Sequence, residues 1–192
     1  MFKSFRLLGA ALLLASLTSV SQASLIQYFA NLDGVSESPP NASPATGFVN
    51  VDYDNVAHTL HIHAEFSGLL GTTTASHIHA PTSLPGTGTA SVATTVPSFA
   101  GFPLGVTSGT FDNTLDLTLS SSWNPTFVSN NGGTTAGAEA ALASALAQTR
   151  AYFNIHTNSF PGGEIRGFPT LVPEPAALAL LGLGAVLLIR RR

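Results

Sequence analysis

The stretch His58-Thr59-Leu60-His61-Ile62-His63-Ala64-Glu65-Phe66 decides the fold. Leu60, Ile62, Ala64 and Phe66 form one apolar face, while Thr59, His61, His63 and Glu65 form the other. A two-residue period marks a strand with one face on a core and one in water. The same alternation recurs around it. In Gly47 to Tyr53, Val49, Val51 and Tyr53 alternate with Phe48, Asn50 and Asp52. Leu115, Leu117 and Leu119 alternate with Thr114, Asp116, Thr118 and Ser120, and Ala151, Phe153 and Ile155 with Tyr152, Asn154 and His156. Gly, Pro, Asn and Ser clusters punctuate the intervals at 37–44, 81–88, 97–109 and 130–133. Many short strands with such turns predict an all-β antiparallel sandwich or barrel. One segment departs from the pattern. The Ala/Leu/Glu-rich run Ala136 to Gln148, with Thr135 as its cap, predicts a single inserted helix whose Leu142 and Leu146 lie on the sheet. The Thr/Ser/Gly-rich loop 81–98 reads as flexible surface.

Composition narrows the chemistry. Charged residues make up 9% of the 192, against about 25% in a typical soluble domain. Between Arg6 and Glu174 lie nine acids and only two cations, Arg150 and Arg166, a net charge of −7. Nucleic-acid and polyanion binding, which need basic patches, are excluded on that ground. The absence of cysteine excludes disulfides, thiolate metal sites and Cys nucleophiles. The interior has no lysine, so its Gly-rich stretches lack a phosphate-loop Lys. No Gly-x-Ser-x-Gly occurs and no Ser-His-Asp set is legible, leaving a hydrolase unsupported.

The two ends read as processing signals. Lys3 and Arg6, the apolar run Leu7 to Leu17, and Ser21-Gln22-Ala23 predict a signal peptide over 1–23, cleaved after Ala23. The other end runs Val172-Pro173-Glu174-Pro175, then the apolar Ala176 to Ile189, then Arg190, Arg191 and Arg192. Fourteen helical residues span about 21 Å, short of the roughly 30 Å of a bilayer core. The arginines can snorkel, and they orient the domain outward. The three parts in this order resemble the PEP-CTERM sorting signal of Gram-negative bacteria, assigned here to 170–192. That resemblance implies handling by an exosortase-type membrane protease, transient inner-membrane anchoring through a short transmembrane helix, and a destination at the cell surface or in an exopolysaccharide matrix.

The mature region, 24–169, carries a second resemblance. Leu32-Asp33-Gly34, Glu37-Ser38-Pro39-Pro40 and the strand Leu60 to Phe66 closing on Ser67-Gly68-Leu69 look like the opening of a CHRD domain. His77-Ile78-His79-Ala80-Pro81 matches its central His-x-His. Tyr152 to Thr157, running into Phe160-Pro161-Gly162-Gly163-Glu164-Ile165-Arg166-Gly167, matches its ending. The resemblance implies an immunoglobulin-like sandwich or barrel and an exported location, with no established activity. Phe168-Pro169 stands where the family continues with Gln-Leu, so the closing strand is expected to end early.

Six histidines are the main hint of chemistry. His77 and His79, two apart on a strand, project to one face, and His156 lies on a later strand. Three converging imidazoles suit copper or zinc, possession of which would allow redox activity. The His-x-His on a β sandwich is also similar to the copper-site element of Cu/Zn superoxide dismutases. A hydrogen-bonded polar cluster fixing loops is the alternative. His61 and His63 read as solvent-facing, and His58 as incidental. Arg166 is expected in a partly buried ion pair with Glu37 or Glu164. The leading expectation is a non-enzymatic binding or structural protein of the surface or exopolysaccharide matrix, with other surface proteins as further partners. The alternative is a histidine-based copper or zinc protein.

Overall fold

In the computed structural model, residues 25–173 are described. The expected signal peptide, its Ala23 cleavage point, Glu174, Pro175, the apolar run 176–189 and Arg190 to Arg192 lie outside them. Among the described residues no helix is long and apolar enough to cross a membrane.

Strands β1 (Leu25–Asp33), β2 (Thr46–Asp54), β3 (Thr59–Ser67) and β5 (Gly109–Asp116) form an antiparallel meander interrupted by β4 (Thr73–His79). From β3 the chain crosses to β4 at the far edge and returns through residues 80–108 to β5. Helices α1 (Pro125–Asn130) and α2 (Thr135–Ala147) follow. The chain then re-enters the far wing as β6 (Tyr152–Thr157) and β7 (Ile165–Gly167), and β8 (Thr170–Leu171) pairs with β1. The order is β4-β6-β7-β1-β2-β3-β5. One hydrogen-bonded sheet therefore curls into a half-barrel, an all-β antiparallel architecture as expected.

The alternation dictates the meander's register. Tyr53 faces Leu60 and Val51 faces Ile62, and Ala64 faces Phe111, all turned inward. A one-residue slip would turn every one of them to water. Leu142 and Leu146 of α2 lie in this core with Ala138 and Ala145. The Thr134 side chain, one residue earlier than expected, caps α2 by accepting from the Gly137 N–H at 3.0 Å. Glu139 of α2 accepts from Tyr53 Oη at 2.9 Å and meets His58 Nδ1 at 2.9 Å, so His58 is not incidental. Helix α1, unanticipated, starts on Asn124 as cap and Pro125 in its first turn. Leu119, expected on the apolar face, lies beyond the end of β5 and is exposed.

The β4-β6-β7 wing is built differently, because both of its faces are covered. Ile78, Phe153, Ile155 and Ile165 point into the core. His77, His79, Tyr152, Asn154 and Arg166 point the other way and are also buried, under loops. Part of the 81–98 segment, expected as surface, belongs to that cover: Thr82, Ala93 and Thr94 have no exposure, while residues 83–87 are exposed. It is pinned along β4 by Ala93 N–H to Ile78 O at 2.9 Å and Ile78 N–H to Thr94 Oγ1 at 3.0 Å. β7 meets β1 closely at Gly167, where a Cβ would overlap the Asn31 carbonyl oxygen. β7 ends at Gly167, yet β8 and the Val172 N–H bond to Gln27 O at 2.8 Å carry the pairing past the expected boundary at 169.

Candidate metal centre

The His77-Ile78-His79 alternation sends Ile78 inward and both imidazoles to the covered face. In the β4–β6 ladder His77 faces Asn154, His79 faces Tyr152, and His156 faces Ala75 beside a bulge between Thr73 and Ala75. His156 thus lies diagonally from His77. The three rings form a nearly equilateral triangle, with centroids 5.7 Å (77–79), 5.3 Å (77–156) and 5.6 Å (79–156) apart. One ring nitrogen from each lies within 4.8 Å of the other two.

Each ring also touches one backbone carbonyl. His77 Nε2 is 2.6 Å from Pro97 O, His79 Nδ1 is 3.0 Å from Ala90 O, and His156 Nδ1 is 3.0 Å from Pro161 O. A carbonyl oxygen only accepts, so each of these nitrogens carries the hydrogen. The lone pairs then fall on His77 Nδ1, His79 Nε2 and His156 Nε2. These are the three imidazole nitrogens that are buried and without a partner. Burial pushes His77 and His79 down to about 4, and His156 down as well, against the opposing pull of their carbonyl partners. At neutral pH all three rings are therefore neutral and able to donate a lone pair.

The surroundings orient the rings. Tyr152 stacks on His79, and its Oη lies 3.3 Å from the same Ala90 oxygen that His79 holds. The Arg166 guanidinium carbon sits 4.7 Å from the Tyr152 ring centre. Arg166 donates to Gly88 O at 2.9 Å and to Ser36 O, and lies 3.7 Å from Glu37 Oε2. Burial lifts the Glu37 carboxyl to about 7 despite Arg166. Glu37 Oε1 and Asn154 Oδ1 are buried without partners, and both border Gly163, whose φ of +130° admits no ordinary side chain.

Glu164 takes no part in the Arg166 pair. Its carboxylate accepts from Leu70 N at 2.6 Å, Gly71 N at 3.1 Å, Ser43 Oγ at 2.7 Å and Thr157 Oγ1 at 2.7 Å. His61 and His63 stand on the outer face of β3, against Asp52 and Asp112, away from the triangle. Pro173 ends the described residues, at the surface. Sequence reasoning did not identify Tyr152, Asn154 or the three carbonyl acceptors as parts of one layer. Only Tyr152 and Asn154 left a signal, as polar positions alternating with His156.

The family model described as the CHRD domain matches residues 28–168, and that described as the PEP-CTERM protein-sorting motif matches 171–192. No curated protein and no solved structure matches the chain.

Proposed function

Because the chain belongs to the CHRD-domain family and ends in a PEP-CTERM sorting signal, we propose that it is a non-enzymatic surface protein holding one copper or zinc ion on His77, His79 and His156. The sorting signal implies secretion, processing by an exosortase membrane enzyme and a surface location. On this reading 1–23 is the signal peptide, 24–169 the working domain and 170–192 the tail handled at the membrane. The antiparallel curled sheet with His-x-His on one strand supports reading the domain as immunoglobulin-like or superoxide-dismutase-like.

One observation carries the metal assignment. Three buried imidazole nitrogens converge unpaired, while the opposite nitrogen of each ring is hydrogen-bonded to a backbone carbonyl. A purely structural cluster would pair those nitrogens, since an unsatisfied buried polar atom costs about 1–3 kcal/mol. Metal-binding histidines have this arrangement: one nitrogen free for the ion, the other N–H fixed by an outer partner. The test is metal analysis of the exported, untagged protein recovered from culture. About one copper or zinc per chain, lost in His77→Ala/His79→Ala, supports the reading. A metal-free protein that takes up neither ion at micromolar excess overturns it.

A second reading, retention on neutral matrix polysaccharide, rests on the outer sheet face. Phe29 and Phe48 stack with centroids 6.2 Å apart, and His63 follows at 5.7 Å, in a row across β1, β2 and β3. Asn31, Asn50 and Glu65 flank the row, and the face carries no Lys or Arg. Rings with amides and carboxylates between them suit sugar C–H faces and hydroxyls. Affinity electrophoresis through isolated matrix polysaccharide should retard the protein, and Phe48→Ala should release it. Equal mobility of the two would exclude this reading.

A further inference from the structure

Resting on the three-histidine reading above, we propose that the ion is copper held as Cu(I), with three nitrogen ligands and no fourth. Three features of the layer converge on this choice.

The first is closure. His77 Nδ1, His79 Nε2 and His156 Nε2 each expose less than 1 Å². Among the described residues the ligand group contains these three side chains and no carboxylate. Zinc sites complete four ligands, with a water where the protein supplies three. A buried triangle of three donors holds that fourth position out of contact with bulk solvent. Cu(I), a filled-shell ion of single charge, is satisfied by three nitrogens.

The second is the charge of the donor set. All three donors are neutral, and the outer partner of each is a carbonyl rather than a carboxylate. The donors and their outer partners thus bring no negative charge to the ion. Desolvation cost rises with the square of the charge, so a buried neutral cage penalises a divalent ion far more than a monovalent one.

The third is a fixed neighbouring cation. The steps from His79 to the Tyr152 ring and from that ring to the Arg166 guanidinium are 4.7 Å each, which holds the positive charge within roughly 9 Å of the His79 ring. At an effective dielectric of about 20, a second unit of charge on the ion costs roughly 20-fold in affinity at that distance. Glu37, the carboxylate beside Arg166, offsets this only in part, because burial favours its protonated form.

The test is a set of anaerobic competition titrations on the exported, untagged protein. Cu(I) is presented with a chromophoric Cu(I) chelator, and Zn(II) and Cu(II) with their own indicators. The expected result is one Cu(I) per chain, held about 100-fold tighter than Zn(II), with X-ray absorption reporting three nitrogen neighbours. Arg166→Gln should narrow the Cu(I)-to-Zn(II) ratio by about tenfold, and Arg166→Lys should keep it. The wild-type ratio decides the question even if neither variant folds. Zn(II) bound as tightly as Cu(I), or copper retained as four-coordinate Cu(II), overturns the proposal while leaving the three-histidine site standing. Binding of none of the three ions overturns that site and this proposal together.

Discussion

The ring of His79 lies flat on that of Tyr152, with centroids 4.7 Å apart and planes within 5° of parallel. Both side chains also meet the Ala90 carbonyl, His79 through Nδ1 at 3.0 Å and Tyr152 through Oη at 3.3 Å. Tyr152 therefore fixes the plane of the His79 imidazole, while the Ala90 carbonyl fixes its tautomer. Tyr152→Leu is expected to weaken metal affinity by about 10–100-fold, the usual effect of losing an outer partner. Tyr152→Phe keeps the stack and should stay near wild type. A competition titration in which Leu binds as well as Phe would refute the positioning role.

Glu164 is fully buried, and its carboxylate satisfies four donors from three segments. Glu164→Ala strands those donors and should cost at least about 3 kcal/mol in urea denaturation. Burial alone would raise this carboxyl, but bonds from Leu70, Ser43, Thr157 and Gly71 bring it below its ordinary value. Its contribution is thus present above the unfolded-state pKa and is lost as pH falls through the lower folded value. Glu164→Gln should flatten the acid limb of the stability profile. An unchanged acid limb would count against the assignment.

Glu37 has the opposite sign. Its folded pKa of about 7 lies above the ordinary 4.5. The favourable protonated form is fully present below pH 4.5, and its benefit is lost as pH rises through 7. Relative to Glu37→Gln, the wild type should lose up to about 3 kcal/mol between pH 4.5 and 8. Denaturation of both proteins at the two pH values measures this, and parallel profiles would exclude it.

At Gly167 the strands β7 and β1 approach so closely that a Cβ would strike the Asn31 backbone oxygen and come within 3.0 Å of Ala30 Cβ. Backbone cannot step aside as a flexible side chain can. Gly167→Ala should destabilise by about 2 kcal/mol or more, whereas Gly162→Ala, with open space around it, should change little. Thermal unfolding of the two variants makes the comparison.

The meander was legible because its outer face meets water, so Val49, Val51, Leu60, Ile62 and Ala64 alternate cleanly with polar neighbours. The same code misleads in the other wing. In β6, Tyr152 and Asn154 read as solvent-facing by alternation, yet both are buried. The layer that covers them is made of Thr, Ser, Ala and Pro, whose composition matches that of exposed loops. Its order comes from pairings such as Phe99 N–H to Ser76 O, which side-chain patterns do not encode. The His-x-His was visible as a shared face, but convergence with His156 depended on the β4–β6 register and a bulge. Glu164, two residues from Arg166, was one of two partners expected for it, Glu37 being the other. The carboxylate instead turns to the N–H groups of Leu70 and Gly71, while the guanidinium turns to Glu37 and Tyr152.

His77 and His156 are joined only when β6, arriving after both helices, docks beside β4. Contacts so distant along the chain form late, because a long loop must close before they reward it. The triangle is consequently a checkpoint on completed folding: a chain stalled after the meander presents two of the imidazoles and never all three. An ion captured there stabilises only the finished molecule, by an amount that grows with the logarithm of its free concentration. Resistance of the exported protein to proteolysis would then track the ion supply of the compartment in which folding ends, which couples the durability of this surface protein to its chemical surroundings.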